Sequence, residues 1–176
     1  MKYLKKFSLF IIALLALFIF FLPKTQLYYQ AEQLLAEEKI MLSSEMSHDY
    51  GFLFNLTGGT LFYDDLEVAK LEKITLTPLI FFNRINVEPF TFSQEMQNFI
   101  PGIITQMRVQ YSIIDPLHIL LSVEGDFGSL NGSIAFLDQQ IKAVLIPSKT
   151  LLKQRPIWLK EFKKQEGGVY HYESAY

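Results

Sequence analysis

The chain contains no cysteine. Its absence removes thiolate metal sites, cysteine nucleophiles and dithiol redox motifs, and no disulfide can staple the fold. Histidine is nearly as scarce. His48, His118 and His171 have no His partner at i, i+4 and no H-x-x-E spacing, so the convergent ligands that zinc needs are not in prospect. No G-x-S-x-G elbow occurs, and Gly128-Ser129 and Gly132-Ser133 lie in turn or strand contexts. Gly58-Gly59 and the Gly125/Gly128 pair match neither phosphate-loop spacing and read as turns. Asp64-Asp65 and Asp126 could be cast as glycosidase carboxylates, but carboxylates in such places are ordinarily solvated turn formers. The sequence therefore predicts a non-enzymatic protein with no cofactor and no metal.

Charge is also sparse. Only 19% of residues are charged and the net charge is −2. The balance is more acidic still once Lys2, Lys5 and Lys6 at the N-terminus are set aside. Nucleic-acid binding is driven by neutralising phosphates, so no nucleic-acid partner is expected.

What is abundant is apolar surface. Half of the residues are hydrophobic and 15% are aromatic. Phe7–Leu22 is apolar apart from Ser8, with three lysines before it and Pro23-Lys24 after it. Tyr3 and Leu4 lengthen the run, and Lys5 and Lys6 can snorkel. No A-x-A-like cleavage pattern precedes Tyr28, so an uncleaved anchor is favoured over a removed signal peptide. The lysine asymmetry puts the N-terminus in the cytoplasm and the rest of the chain across an inner membrane, in the periplasm. The expected division is a cytoplasmic stub and anchor over residues 1–24 and a periplasmic domain over residues 25–176.

Thr25 is placed to cap a helix from Gln26 to Glu38, with Leu27, Tyr28, Ala31, Leu34 and Leu35 as an apolar stripe that packs on the following sheet. The alternative is a helix for a partner or one lying among headgroups, the latter disfavoured by its acidic charge. From Lys39 the pattern changes to period two. Short strands are expected over 40–45, 52–57, 60–63, 66–69, 74–77, 79–82, 85–90, 104–113, 117–123, 130–136, 141–146 and 169–173. Gly58-Gly59, Asp64-Asp65, Asp115-Pro116 and 137–140 serve as turns. A small helix capped by Ser93 interrupts them, and a longer one is expected over Lys149–Gln165, bent or split at Pro156. No βαβ alternation is visible. The fold class is thus mainly β: an N-terminal transmembrane helix, then an antiparallel sheet, curled or groove-like, with two or three short helices.

Two features invite a binding role. Phe52, Phe54, Phe62, Phe81, Phe82, Phe90, Phe92 and Phe99 are dense enough to be either core or the lining of an apolar groove for a lipid chain or a partner's strand. Lys149, Lys153, Arg155, Lys160, Lys163 and Lys164 make the one basic patch in an acidic domain. They form either a solvated face or a dock for an acidic partner or a membrane surface.

Several stretches together resemble the type II secretion system protein N family. They are the anchor followed by L-P-K-T-x-L-Y-Y-x-A-E-x-L-L at Leu22–Leu35, G-D-F-G-S-L-N-G-S-I at Gly125–Ile134, L-I-P-S-K-T-L-L-K at Leu145–Lys153 and G-G-V-Y-H-Y-E at Gly167–Glu173. The chain is short for that family. The resemblance implies an accessory inner-membrane component of the machine that exports folded proteins, with other secretion proteins as partners. It also implies a layout similar to periplasmic β-groove proteins that handle lipids. The expected function is protein–protein contact within such an apparatus; the alternative is lipid or lipopolysaccharide binding in an apolar groove.

Overall fold

A single apolar helix, α1 (Lys2–Phe21), begins the chain and is long and apolar enough to cross a membrane. It starts five residues before the apolar run because nothing in Lys2–Lys6 breaks a helix. The computed structural model describes residues 2–176 except Ile80, Pro101 and Arg155, and leaves the side chains of Lys2 and Asn98 undescribed.

After a bend at Leu22-Pro23 the chain enters α2 (Lys24–Glu37). Pro23 holds the N-cap position, so Thr25 lies inside the helix and caps nothing, contrary to expectation. Lys24 is only 4% exposed. Its ammonium donates to the carbonyls of Phe20 (3.5 Å) and Leu22 (3.1 Å) and lies 3.4 Å from an Asp49 carboxylate oxygen. A cation at the last carbonyls of α1 satisfies acceptors that the helix leaves unpaired. Asp49→Asn would leave that ammonium buried without its counterion. The expected cost is about 2 kcal/mol, discounted because Asp49 is partly solvated, measured by urea unfolding of the full chain.

The rest is one antiparallel sheet. Its strands are β1 (Ile40–Ser43), β2 (Met46–Asp49), β3 (Phe54–Thr57), β4 (Thr60–Tyr63), β5 (Leu66–Pro78), β6 (Phe82–Phe92), β7 (Ile103–Ser112), β8 (Asp115–Gly125), β9 (Gly128–Ala135), β10 (Gln140–Pro147), β11 (Lys163–Lys164) and β12 (Tyr170–Ala175). Neighbours in sequence are neighbours in space from β5 to β10, with β12 beside β10 and β11 outside it. Gly58-Gly59 is not a reversal. β3 and β4 both run antiparallel to β5 and form one interrupted strand, and β1 and β2 form another beside it. The stretches 66–69 and 74–77 fuse into β5, and Leu79 and Phe81 lie between β5 and β6 rather than in a strand; Ile80 is outside the described residues. Asp115-Pro116 opens β8; the turn sits one step earlier, at Ile113-Ile114.

Lys149–Gln165 is not one helix. It divides into α3 (Lys149–Gln154), a 3-10 turn over Ile157–Glu161, and β11. Pro156 lacks the amide hydrogen that an α-helix would need there. Ser148 Oγ accepts the Leu151 amide at 3.2 Å, which starts α3. The smaller helix is a 3-10 turn, Met96–Asn98, whose N-cap position is held by Glu95 rather than the expected Ser93, although Ser93 Oγ accepts the Met96 amide at 3.4 Å; Pro101, expected to end it, lies outside the described residues.

The register separates two faces. Leu56, Ile74, Val87, Met107, Val123, Leu130, Leu145 and Tyr170 lie in one row across the strands. The next row, one residue along, is Asn55, Thr75, Asn86, Arg108, Ser122, Asn131, Val144 and His171. Period-two alternation thus gives an apolar inner face and a polar outer face. Little covers the inner face. α2 packs chiefly on β1 and β2, with Tyr28 against Phe54. α3 and the following 3-10 turn put Leu151 and Leu159 under the other end. The expected packing of the α2 stripe on the sheet fails: Leu27, Leu34 and Leu35 are exposed.

Tyr28 is the exception in that stripe. Its hydroxyl donates to Glu45 at 2.6 Å. Burial, then the hydrogen bond to Glu45, raise its pKa well above the usual value near 10. The unfolded chain therefore ionises Tyr28 first. The contribution of this contact is complete below pH 10 and is lost as pH rises above that value. Tyr28→Phe should flatten this part of the alkaline limb in a melting-temperature series across pH 9–11.

Candidate functional site

The apolar inner face ends in a cavity. Phe90 and Phe92 on β6, Ile104 and Met107 on β7, Val123 on β8, Leu130 on β9 and Leu145 on β10 form its floor and one wall. Met96, Phe99 and Ile100 before β7, and Trp158 and Phe162 after α3, form the lid. Its volume is about 500 Å³, within the range of small-molecule sites. On a flat sheet β6 and β10 would lie about 19 Å apart, too far to share so small a space, so the sheet curls. The curl also lets the two lid segments meet: Trp158 Nε1 donates to the Phe99 carbonyl at 2.7 Å.

That hydrogen bond matters chemically. Trp158 carries the one polar side-chain atom among the lining residues, and it is already satisfied. The cavity therefore offers no donor, acceptor or charge to a ligand. Such a space favours hydrocarbon and disfavours water, which needs two to four polar partners. Phe90 and Phe92 meet edge to face at 5.3 Å, as do Trp158 and Phe162 at 5.9 Å, so the walls are fixed by aromatic packing. Of the eight phenylalanines singled out in the sequence, only Phe90, Phe92 and Phe99 reach the cavity. Phe54 is buried under α2, Phe52 meets the end of α1, and Phe81 and Phe82 sit at the opposite end of the sheet. The lid residues Met96, Ile100, Trp158 and Phe162 were not in that set. They come from irregular segments with no periodicity to reveal them.

The basic residues are brought only partly together. Lys149 and Lys153 are exposed on α3, Lys160 on the 3-10 turn, and Lys163 and Lys164 on β11. Lys160 and Lys164 share a second depression of about 520 Å³ with Leu152, Pro156 and Tyr170. Arg155 lies outside the described residues. None of the five lysines has a carboxylate within 4.0 Å among the described residues. They cluster around the lid, at the end of the sheet away from α1. A dock for the membrane that holds the anchor does not follow from that position.

The three histidines stay apart. His48 stacks on Tyr50, His118 meets Asp115 at 2.7 Å, and His171 pairs in register with Lys163. No group of three or more His, Asp or Glu side chains could hold a metal among the described residues. Comparison of the chain with known protein families, curated proteins and solved structures returns no match.

Proposed function

We propose that this protein is anchored by α1 in a bacterial inner membrane and that its periplasmic β domain holds the apolar chain of a lipid or similar amphiphile, without catalysis. The observation that carries this reading is the cavity of about 500 Å³ with no unsatisfied polar atom in its lining. Apolar burial is the sole driving force such a site can offer, and an acyl chain is the ligand that needs nothing else. The bare inner face supports it too. Among the described residues, buried apolar side chains number eight, few for a sheet of this extent. A bound chain would cover what the fold leaves open.

Trp158 is the single tryptophan and forms part of the lid. A fatty acid with a nitroxide on its chain, added to the full protein in a mild non-ionic detergent, should quench Trp158 with saturation. An unlabelled fatty acid should reverse the effect. Quenching that rises linearly without saturation, and that the unlabelled acid does not compete, would remove the reading.

The second reading is the secretion-apparatus component that works through protein contacts. The α2 stripe favours it, since Leu27, Leu34 and Leu35 stay exposed beside the anchor and are available to another membrane component's helix. Repeated mild extraction should then recover secretion proteins with this chain, in amounts that fall with Leu34→Glu.

A further inference from the structure

The turns at one end of the sheet break the usual composition of turns. β-Turns favour Gly, Pro, Asn, Asp and Ser, and the far end of the sheet obeys: Asp64-Asp65 joins β4 to β5 and Asp126-Phe127, with Phe127 buried, joins β8 to β9. The opposite end does not. There the β5–β6 turn carries Phe81, the β7–β8 turn is Ile113-Ile114, and the β9–β10 turn begins Phe136-Leu137. Ile114 is 84% exposed and Leu137 74%. Turn propensity does not explain an isoleucine pair at a hairpin tip where Ile114 stands almost wholly in solvent.

These tips form a continuous row. Ser112 Oγ donates to the Phe81 carbonyl at 3.0 Å, and the Ile113 amide donates to the same oxygen at 3.3 Å. The Phe136 amide donates to the Leu117 carbonyl at 2.9 Å, and the Tyr176 amide to Gln139 at 3.0 Å. The row also has a fixed neighbour. The β2–β3 turn lies at this same end, since Phe54 pairs with Leu76 near the close of β5. The end of α1 is seated on that turn. Phe20 packs edge to face on Phe52 at 5.5 Å and covers Gly51, whose φ of +78° and lack of Cβ let the ring approach. Lys24 and Asp49 pin the same joint. The helix that crosses the membrane thus leaves it at the end of the sheet where the apolar tips stand.

We infer that the hairpin tips at Phe81, Ile113-Ile114 and Phe136-Leu137 dip into the surface of the bilayer that α1 spans. The occupant of this apolar row is lipid, because the anchor already holds that end of the domain at the membrane. Tyr50 and Tyr176 at the same end are exposed and suit the headgroup level, where aromatic side chains with a polar tip concentrate. Asp115, its partner His118, and Asp138 flank the tips and limit the depth to the interface. The inference does not depend on the lipid reading of the cavity. If that reading also holds, the docking sets the open end of the inner face against the membrane, about 23 Å from Tyr111 to Ile104 at the cavity, longer than one leaflet's hydrocarbon of about 15 Å.

The absence of cysteine makes the test clean, since any introduced thiol is unique. Full-length F81C, I114C and L137C, each labelled with an environment-sensitive fluorophore, are placed in nanodiscs of phosphatidylethanolamine and phosphatidylglycerol. Q94C and E161C, exposed at the far end, are the controls. Labels at 81, 114 and 137 should shift to the blue and be quenched at least twofold by nitroxide lipids, while those at 94 and 161 keep their aqueous emission. Adding Ile114→Asp and Leu137→Asp should return the label at 81 toward the aqueous value with Trp158 emission unchanged. Tips that emit like the controls would overturn the inference. So would tips that shift to the blue without lipid quenching, which would mean protein covers them.

Discussion

Leu145→Ala is expected to lower the melting temperature of the domain by about 6–12 °C. Leu145 is fully buried in the row between Leu130 and Tyr170, beneath α3 and the 3-10 turn that follows it. Truncating a buried leucine to alanine costs about 3 kcal/mol, from lost transfer energy plus the hole left behind. For a domain of this size each kcal/mol moves the midpoint by about 2–4 °C. The neighbourhood argues for the full cost. The site borders the apolar cavity, so few protein side chains stand close enough to move in and fill the gap. Leu145 also supports the lid directly, through the cluster with Leu151 and Leu159. Circular dichroism at the strand minimum would follow the sheet, and Trp158 emission would follow the lid. In the native sequence the two should melt together. In the variant the Trp158 transition should precede the strand transition. A change below about 2 °C, with both probes coincident, would mean that Leu145 does not hold the lid.

The architecture was legible because its signals are local. A sixteen-residue apolar run flanked by lysines needs only composition to be seen, and the alternation of Ile104–Ile113 appears in the structure as β7 with Met107 and Val109 inward and Arg108 outward. The errors share a cause. Gly58-Gly59 carries a turn's composition, yet the Gly58 amide donates to Glu72 and Gly59 accepts from Leu71, so the chain passes straight along β5. Asp115-Pro116 likewise attracts a turn assignment that belongs to Ile113-Ile114, residues no propensity would choose. The α2 stripe has helical spacing that predicts packing, but spacing cannot say whether a partner surface exists. The cavity was half visible. Its floor follows from strand alternation, while its lid depends on the curl that brings Phe99 to Trp158 across 59 residues, a long-range closure that no window of sequence contains.

Filling the cavity separates its role as a site from its role in the fold. Val123 and Leu130 are opposite each other on β8 and β9 and form the middle of its floor. Replacing both with phenylalanine inserts apolar volume into existing space rather than into a packed core, so the overpacking penalty does not arise. If anything, new contacts with Phe90 and Trp158 stabilise the lid, and the melting temperature should hold or rise. Acyl-chain binding should fall at least tenfold, equivalent to about 1.4 kcal/mol, read as the concentration of nitroxide fatty acid that half-quenches Trp158. The change adds no tryptophan, so Trp158 stays the single reporter, and half-quenching is read relative to each protein's own unquenched emission. A core-packing role and a ligand role agree on stability here and part on binding. If the space is only imperfect packing, the double variant stabilises the domain and leaves quenching as it was; if it is a seat for a chain, stability holds or rises while binding falls. Val123→Glu gives the complementary loss, since a carboxylate in this lining meets no donor and repels the chain, and its binding defect should shrink as pH falls and the carboxyl becomes neutral.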